Sequence, residues 1–423
     1  MMAKFIALLM YLAAAISLSD GRSVVSVQPS EKLVAPITVA HQRDWTDPEI
    51  GASAIDVIRR WDYPVEQYNV TTEDGYILML LRIPHGRSGE LTSTKPRPVV
   101  YMQHGVESSC VDWIVNLPNE SAAFVFADRG FDVWLGNFRG NTYSNEHVEY
   151  KNTQHEYWRF SWDEMARYDL PAMINATLTI SGAKSVYYVG HSMGTTTIMA
   201  KLSQDPAFGK YIKRVYALAP VSSITYVQGS AKIFAPFAKW LQRLLDTFGV
   251  DDLFPATQLQ NDFARYFCGS VITEIFCKNI LVALTGPESH QMNNTRMPVY
   301  LSHFPAGTST RTLEHYAQVH NAKKLQMYDY GSKEENQQHY HQDTPPLYEV
   351  EKIQTEFSLY WGGRDWLADA QDVEELITKL RYLSGSVFLA DYNHMDFTWG
   401  LKAASDVYIP IYKDIVDDFA NNI

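Results

Sequence analysis

Apolar residues in this chain gather in short continuous runs, and stretches of helical spacing separate those runs. Tyr68–Thr72 and Tyr76–Ile83 are strand-like, and Glu73-Asp74-Gly75 between them has turn chemistry, which predicts an N-terminal hairpin. Further strands are expected over Arg97–Gln103, Phe131–Leu135, Ser185–Val189, Arg214–Ala219, Thr355–Trp361 and Ser386–Ala390. Helical spacing falls between them, at Ser121–Asp128, at Asp163–Met173 despite Pro171, at Thr195–Leu202, at Asp372–Arg381 and at Ser405–Phe419. Buried-type strands alternating with helices predict an α/β fold, a mostly parallel central sheet with helices on both faces.

The rhythm breaks after Pro220. From about Ser222 to Leu347 the chain turns to amphipathic patterns and long connections, including Ile233–Phe248 and Asp262–Leu284. This stretch reads as an inserted helical cap or lid. The expected organisation is therefore a core in two parts, residues 53–221 and 348–423, with a cap over 222–347. Before the core, residues 1–19 read as a signal peptide. Lys4 starts it, Phe5–Ile16 is unbroken and apolar, and Ser17 and Ser19 suit cleavage. That run is shorter than the roughly 20 residues a bilayer span needs, so an uncleaved anchor is the weaker reading. Residues 20–52 carry no sustained periodicity and read as a loosely ordered leader. No internal repeat or low-complexity segment is present.

Composition narrows the function. A net charge of −12 without a long basic run argues against nucleic acid and against electrostatic docking on anionic membranes. Any contact with lipid would have to be apolar. Four sequons, at Asn69, Asn119, Asn175 and Asn293, suit a secretory route and are N-glycosylation candidates. With 3 cysteines the chain is no disulfide scaffold. Cys268 and Cys277 are near enough to close a small loop, which would stabilise by roughly 2–3 kcal/mol on the chain-entropy account. Cys110 is left over and reads as a buried free thiol.

The chemistry centres on Gly190-His191-Ser192-Met193-Gly194. A buried strand precedes it and a helix follows, the context of a nucleophile elbow. Two glycines fit because so tight a turn leaves no room for bulk around the serine. A serine hydroxyl needs an adjacent base, itself oriented by a carboxylate. In α/β-hydrolases these follow in the order Ser, acid, His, each on a loop past a strand end. Asp365 stands just beyond the strand Thr355–Trp361, behind Gly362-Gly363, with Asp369 as its competitor. His394 follows the last strand and is the only histidine after Asp365. The Met193 N–H would face the developing oxyanion, and the Val106 N–H, after His104-Gly105, is the second candidate donor. His339-Tyr340-His341 has the look of a metal pair but lacks partners at ligand spacing, so no metal and no cofactor are assigned.

Ten segments together carry a resemblance. They are Glu73-Asp74-Gly75-Tyr76, Gln103-His104-Gly105, Asp132-Val133-Trp134-Leu135-Gly136-Asn137, Arg139-Gly140-Asn141-Thr142 and Phe160-Ser161-Trp162-Asp163-Glu164-Met165, then Tyr188-Val189-Gly190-His191-Ser192, Tyr216-Ala217-Leu218-Ala219-Pro220-Val221, Leu301-Ser302-His303, Pro305-Ala306-Gly307-Thr308-Ser309 and Tyr392-Asn393-His394-Met395-Asp396-Phe397. From about residue 53 to the C-terminus the chain resembles the acid lipases, the group that includes gastric lipase and lysosomal acid lipase. The resemblance implies an α/β-hydrolase core with a cap and a mobile lid, and hydrolysis of triacylglycerols or, in the lysosomal branch, cholesteryl esters at an oil–water interface. It implies a triad of Ser192, Asp365 and His394, an oxyanion hole at Val106 and Met193, and a cap disulfide between Cys268 and Cys277. Met193 stands where glutamine is usual, with little expected effect because only its N–H is used. Arg364 stands where asparagine is common, which is expected to bear on the pH optimum. The expectation is a secreted serine lipase, extracellular or in a digestive lumen, with a lysosome as the other location. A soluble carboxylesterase and a lipid-binding or storage protein on a lipase fold are the rival readings.

Overall fold

The computed structural model describes residues 47–89, 96–234, 251–253, 258–268 and 274–421. The signal-peptide reading, nearly all of the leader and most of Ile233–Phe248 lie outside the described residues.

The strands are β1 Glu66–Thr71, β2 Tyr76–Ile83, β3 Val99–Gln103, β4 Asp132–Leu135, β5 Glu146–His147, β6 Val186–His191, β7 Ile212–Leu218, β8 Asp252–Leu253, β9 Thr308–Ser309, β10 Phe357–Gly362 and β11 Leu383–Leu389. The main sheet runs β1-β2-β4-β3-β6-β7-β10-β11, with β5 beside β2, and β8 pairs with β9 separately. β1 and β2 form the expected antiparallel hairpin, and β2 is antiparallel to β4. From β4 to β11 every pairing in the main sheet is parallel. β3, β4, β6 and β10 are buried along their whole length. Covering by helices on both faces explains their unbroken apolar runs, such as Val186-Tyr187-Tyr188-Val189.

The helix expected at Asp163–Met173 shows how Pro171 is accommodated. An α turn at Trp162–Glu164 passes into a π turn at Met165–Asp169 and then into the helix Leu170–Ser181, with Pro171 in its first turn. The wider turn absorbs the missing proline N–H and the clash of its ring with the preceding carbonyls. The same device, Ala404–Tyr408 followed by Ile409–Ala420, admits Pro410.

Two polar clusters fasten the elements around the sheet. Arg139 is fully buried; its Nε lies 2.8 Å from Asp169 Oδ1, its Nη1 2.6 Å from Asp74 Oδ2, and its guanidinium 3.9 Å from the centre of the Tyr76 ring. The hairpin turn is thereby tied to the helix Leu170–Ser181. A buried cation costs desolvation energy, which these partners offset. The second cluster joins the core to the stretch read as a cap. Trp162 stacks on His315 of the helix Thr310–Ala322, with ring centres 3.8 Å apart. Asp163 accepts from Tyr328 N (2.8 Å) and from the Tyr348 hydroxyl (2.5 Å).

Burial pushes the Asp163 carboxyl up to about 7. Its unfolded value is about 3.9, so its contribution to stability is complete below about pH 4 and is lost as pH rises through about 7. Asp163→Asn, a neutral mimic, is expected to remove that dependence. The wild-type advantage in Tm over this variant should be larger at about pH 5 than at about pH 8. Thermal denaturation at the two values checks it.

The chain is already fixed at Asp47–Gly51, within the stretch whose composition suggested a loose leader. Glu49 and Ile50 are buried, and Glu49 pairs with Arg296 and, at 3.3 Å, with Arg60. The Cys268–Cys277 disulfide is formed, and Cys110 is a buried free thiol whose pKa burial pushes up to about 12. His339 stacks on Tyr330, and His341 closes the helix Lys333–Tyr340 in a left-handed conformation. No helix of the described residues is long and apolar enough to cross a membrane.

Candidate active site

β6 ends at His191, and the helix Met193–Gln204 begins at Met193, so Ser192 alone makes the turn between them. It holds φ 52° and ψ −118°, a backbone state that L-residues rarely adopt. The surroundings enforce it. A Cβ on Gly194 would lie 2.5 Å from the Gln103 carbonyl oxygen, and one on Gly190 would lie 2.8 Å from the Tyr188 ring. Ser192 N–H donates to Leu218 O across the sheet (3.0 Å).

Ser192, Asp365 and His394 come together although they are far apart in sequence. Ser192 Oγ lies 2.8 Å from His394 Nε2, and His394 Nδ1 lies 2.8 Å from Asp365 Oδ2. Asp365 Oδ1 also accepts the N–H groups of Leu367 (2.9 Å) and Ala368 (2.8 Å), which fixes the carboxylate. All three side chains are buried. In this arrangement the imidazole can accept the hydroxyl proton while the carboxylate holds its other N–H. Asp369, the competing acid, is instead the N-cap of the helix Ala370–Lys379 and accepts from Gln371 N (2.9 Å) and Gln228 Nε2 (2.6 Å).

Met193 directly follows the serine, and Val106 follows Gly105 on the loop after β3. A Cβ on Gly105 would lie 3.0 Å from Ser192 Cβ, so the loop after β3 passes directly beside the nucleophile candidate. Neither the Val106 nor the Met193 N–H donates a hydrogen bond among the described residues. His104 shapes this loop. Its Nε2 accepts from Phe138 N (3.1 Å), which leaves the proton on Nδ1 to donate to Gly105 O (2.8 Å). Burial pushes its pKa down to about 4, so it stays neutral.

Several positioning groups escape the sequence reading. His191 donates from Nε2 to His394 O (2.9 Å) and ties the elbow to the histidine loop; burial pushes its pKa down to about 3. Asp396 accepts from Asn393 N (2.6 Å) and Ser289 Oγ (2.8 Å), and burial raises it to about 6. The Thr285 carbonyl accepts both Trp366 N (3.3 Å), on the acid loop, and His394 N (3.4 Å). Gly286 follows at φ +123°, where a Cβ would lie 2.0 Å from Arg364 O. Arg364 itself points away from the triad, to Glu288 O (2.7 Å) and Asp391 Oδ1 (3.0 Å). His191 and Asp396 stand inside motifs visible in the sequence. A backbone carbonyl leaves no such signal.

Comparison with known proteins bears on the family and the fold. Residues 54–117 match the family described as a partial alpha/beta-hydrolase lipase region, and residues 98–401 match the alpha/beta hydrolase fold. Lipase lipl-1 of Caenorhabditis elegans is 44% identical over 383 residues, covering 89% of this chain and 94% of that protein. Lipase member K of Homo sapiens is 43% identical over 362 residues, covering 86% and 90%. Gastric triacylglycerol lipase of Mus musculus is 42% identical over 372 residues, covering 88% and 93%. Among solved structures, DcsB in complex with its substrate analogue superposes with a TM-score of 0.51 at 12% identity, covering 85% of this chain and 100% of that one. That likeness speaks to the fold alone. With a family match spanning most of the core and relatives aligned over nearly their whole length, the chain belongs to the acid lipases of the α/β-hydrolase fold and is a carboxylic ester hydrolase.

Proposed function

We propose that this chain is a secreted serine lipase acting chiefly on triacylglycerols. The observation that carries the mechanism is the 2.8 Å approach of His394 Nε2 to Ser192 Oγ, with Asp365 2.8 Å behind the same ring. Ser192 attacks the ester carbonyl as His394 takes its proton. Asp365 holds the imidazole tautomer and stabilises the imidazolium that forms. The tetrahedral oxyanion accepts from the Val106 and Met193 amides, an effect of roughly 10²–10³ in turnover per donor. His394 then protonates the leaving alcohol, and water, activated by the same base, releases the fatty acid. This sequence of steps calls for no cofactor.

The substrate class rests on the relatives named for gastric triacylglycerol lipase. Secretion rests on the N-terminal signal-peptide reading and on the Cys268–Cys277 disulfide, a bond suited to an oxidising compartment. Asn69, Asn119 and Asn175 are exposed and open to glycosylation; Asn293 is half-buried, its side chain accepting from Thr295 N (3.1 Å). The core of 53–221 and 348–423 with a cap over 222–347 completes the proposal.

A hydrolysis panel tests it. Emulsified long-chain triacylglycerol, cholesteryl ester, phospholipid and a soluble short-chain ester are compared across about pH 4–8, a range spanning carboxylate and imidazole titration. The expected result is highest turnover on the triacylglycerol. Preference for the soluble short ester, with no gain at an interface, overturns the lipase reading in favour of a carboxylesterase. Failure of a serine-directed phosphonate to label Ser192 overturns the enzymatic role of the triad.

A further inference from the structure

We propose that Asp112 is a positioning residue for the reaction proposed above, on which this inference rests: its carboxylate ties the loop carrying Val106 to the helix that follows His394, and its charge favours the imidazolium form of that histidine. Asp112 lies in the buried turn Cys110–Trp113, after β3. Its Oδ2 accepts from the hydroxyl of Ser108, two residues beyond Val106. Its Oδ1 accepts from the Trp399 indole N–H (3.2 Å), at the end of the short helix Asp396–Trp399. Trp399 is itself held. Its ring stacks on Tyr300 with centres 4.9 Å apart, and its carbonyl accepts from Asn116 Nδ2 (2.9 Å). One carboxylate therefore takes a donor from each of two segments, the one with the oxyanion donor and the one behind the base. Their spacing decides whether both address the same ester carbonyl.

The link is also electrostatic. Desolvation pushes the Asp112 carboxyl up to about 6, against the bonds from Ser108 and Trp399 and the attraction of the His394 ring. Cys110 and Tyr408 also face it, and burial, which raises both, keeps them neutral. Among the described residues, the charge that Asp112 meets is the one His394 acquires on taking the Ser192 proton. Asp365 holds the ring through Nδ1, whereas Asp112 acts on it across space. In a buried site such an interaction is far stronger than in water. The developing oxyanion, of the same sign as Asp112, has its charge taken up by two amides. Above about pH 6 Asp112 is ionised and favours the imidazolium; below it the carboxyl is neutral and that help is lost.

Steady-state kinetics on p-nitrophenyl butyrate over about pH 4–8 tests this, a range spanning carboxylate and imidazole titration. A soluble ester keeps interfacial effects out of the measurement. Asp112→Asn retains both bonds, its oxygen accepting from the indole and its NH₂ donating to Ser108 Oγ, and removes only the charge. Wild-type kcat should exceed that of this variant by about three- to tenfold at about pH 8, with KM little changed. The ratio should fall towards one at about pH 4–5, with its midpoint near 6. Ser108→Ala removes a donor that favours the ionised carboxyl. Measured against Ser108→Ala/Asp112→Asn, it should move that midpoint to higher pH. Asp112→Leu breaks both bonds and should lower kcat about tenfold or more below Asp112→Asn at every pH. A ratio independent of pH overturns the proposal, and so does one that falls as pH rises. A midpoint unmoved by Ser108→Ala, or Asp112→Leu as active as Asp112→Asn, overturns it as well. Each of these leaves the triad reading standing, since the wild type turns over; a wild type that neither hydrolyses the ester nor takes a serine-directed phosphonate overturns both.

Discussion

Ser192→Ala is expected to lower ester turnover by a factor on the order of 10⁵–10⁶ while leaving the fold intact. The size follows from the loss of the attacking atom itself, with only the two amide donors and substrate binding left to act. The intact fold follows from the neighbourhood. Ser192 is buried at the turn, but its conformation is imposed by Gly190, Gly194 and the bond from its own N–H to Leu218 O, none of which involves the hydroxyl. The side-chain bond given up is the single 2.8 Å contact with His394, a net contribution of about 1 kcal/mol. Turnover on emulsified triacylglycerol, read beside the thermal unfolding midpoint, checks both halves. Activity within tenfold of wild type would sink the assignment of the nucleophile.

Asp365→Asn should cost about 10⁴ in turnover with little change in KM. An asparagine can keep its oxygen on the Leu367 and Ala368 amides, where the aspartate Oδ1 now sits at 2.9 and 2.8 Å. Its NH₂ group then faces His394 Nδ1. The ring must turn a lone pair towards that donor and carry its proton on Nε2, which leaves nothing to accept the Ser192 proton. Substrate contacts are untouched, so the loss falls on kcat. Steady-state kinetics separates the two terms. An equal fall in kcat/KM caused by a raised KM alone would count against the role given to this carboxylate.

Much of this site is legible in the linear sequence because it is built from short motifs at strand ends. Gly190–Gly194 follows a buried run, and the loops after β10 and β11 each deliver one further side chain. Nearness to the strand favours Asp365 over Asp369; Asp365 lies 2.8 Å from His394 Nδ1, and Asp369 caps a helix. Short pairings were not legible. β5, β8 and β9 have 2 residues each, and their partners lie far away in the chain, so no local periodicity marks them. β11 begins at Leu383, earlier than the expected Ser386, and the register shift between Phe357 and Ser358 of β10 marks the irregularity there. The Arg139 cluster was missed for a different reason. Each of its carboxylates alone looks like an ordinary surface charge, and only the topology brings Asp74 and Asp169 to one guanidinium.

The carbonyl of Thr285 has a consequence for anyone who builds chimeras. Exchanging residues 222–347, the stretch read as a cap, between relatives would also carry away the Thr285 oxygen that accepts from both the acid loop and the histidine loop, together with the Gly286 crossing and the Ser289 hydroxyl on Asp396. Splice points placed before Leu281 keep those five positions, Thr285 to Ser289, with the recipient scaffold. The graft then leaves the supports of the Asp365 and His394 loops in place.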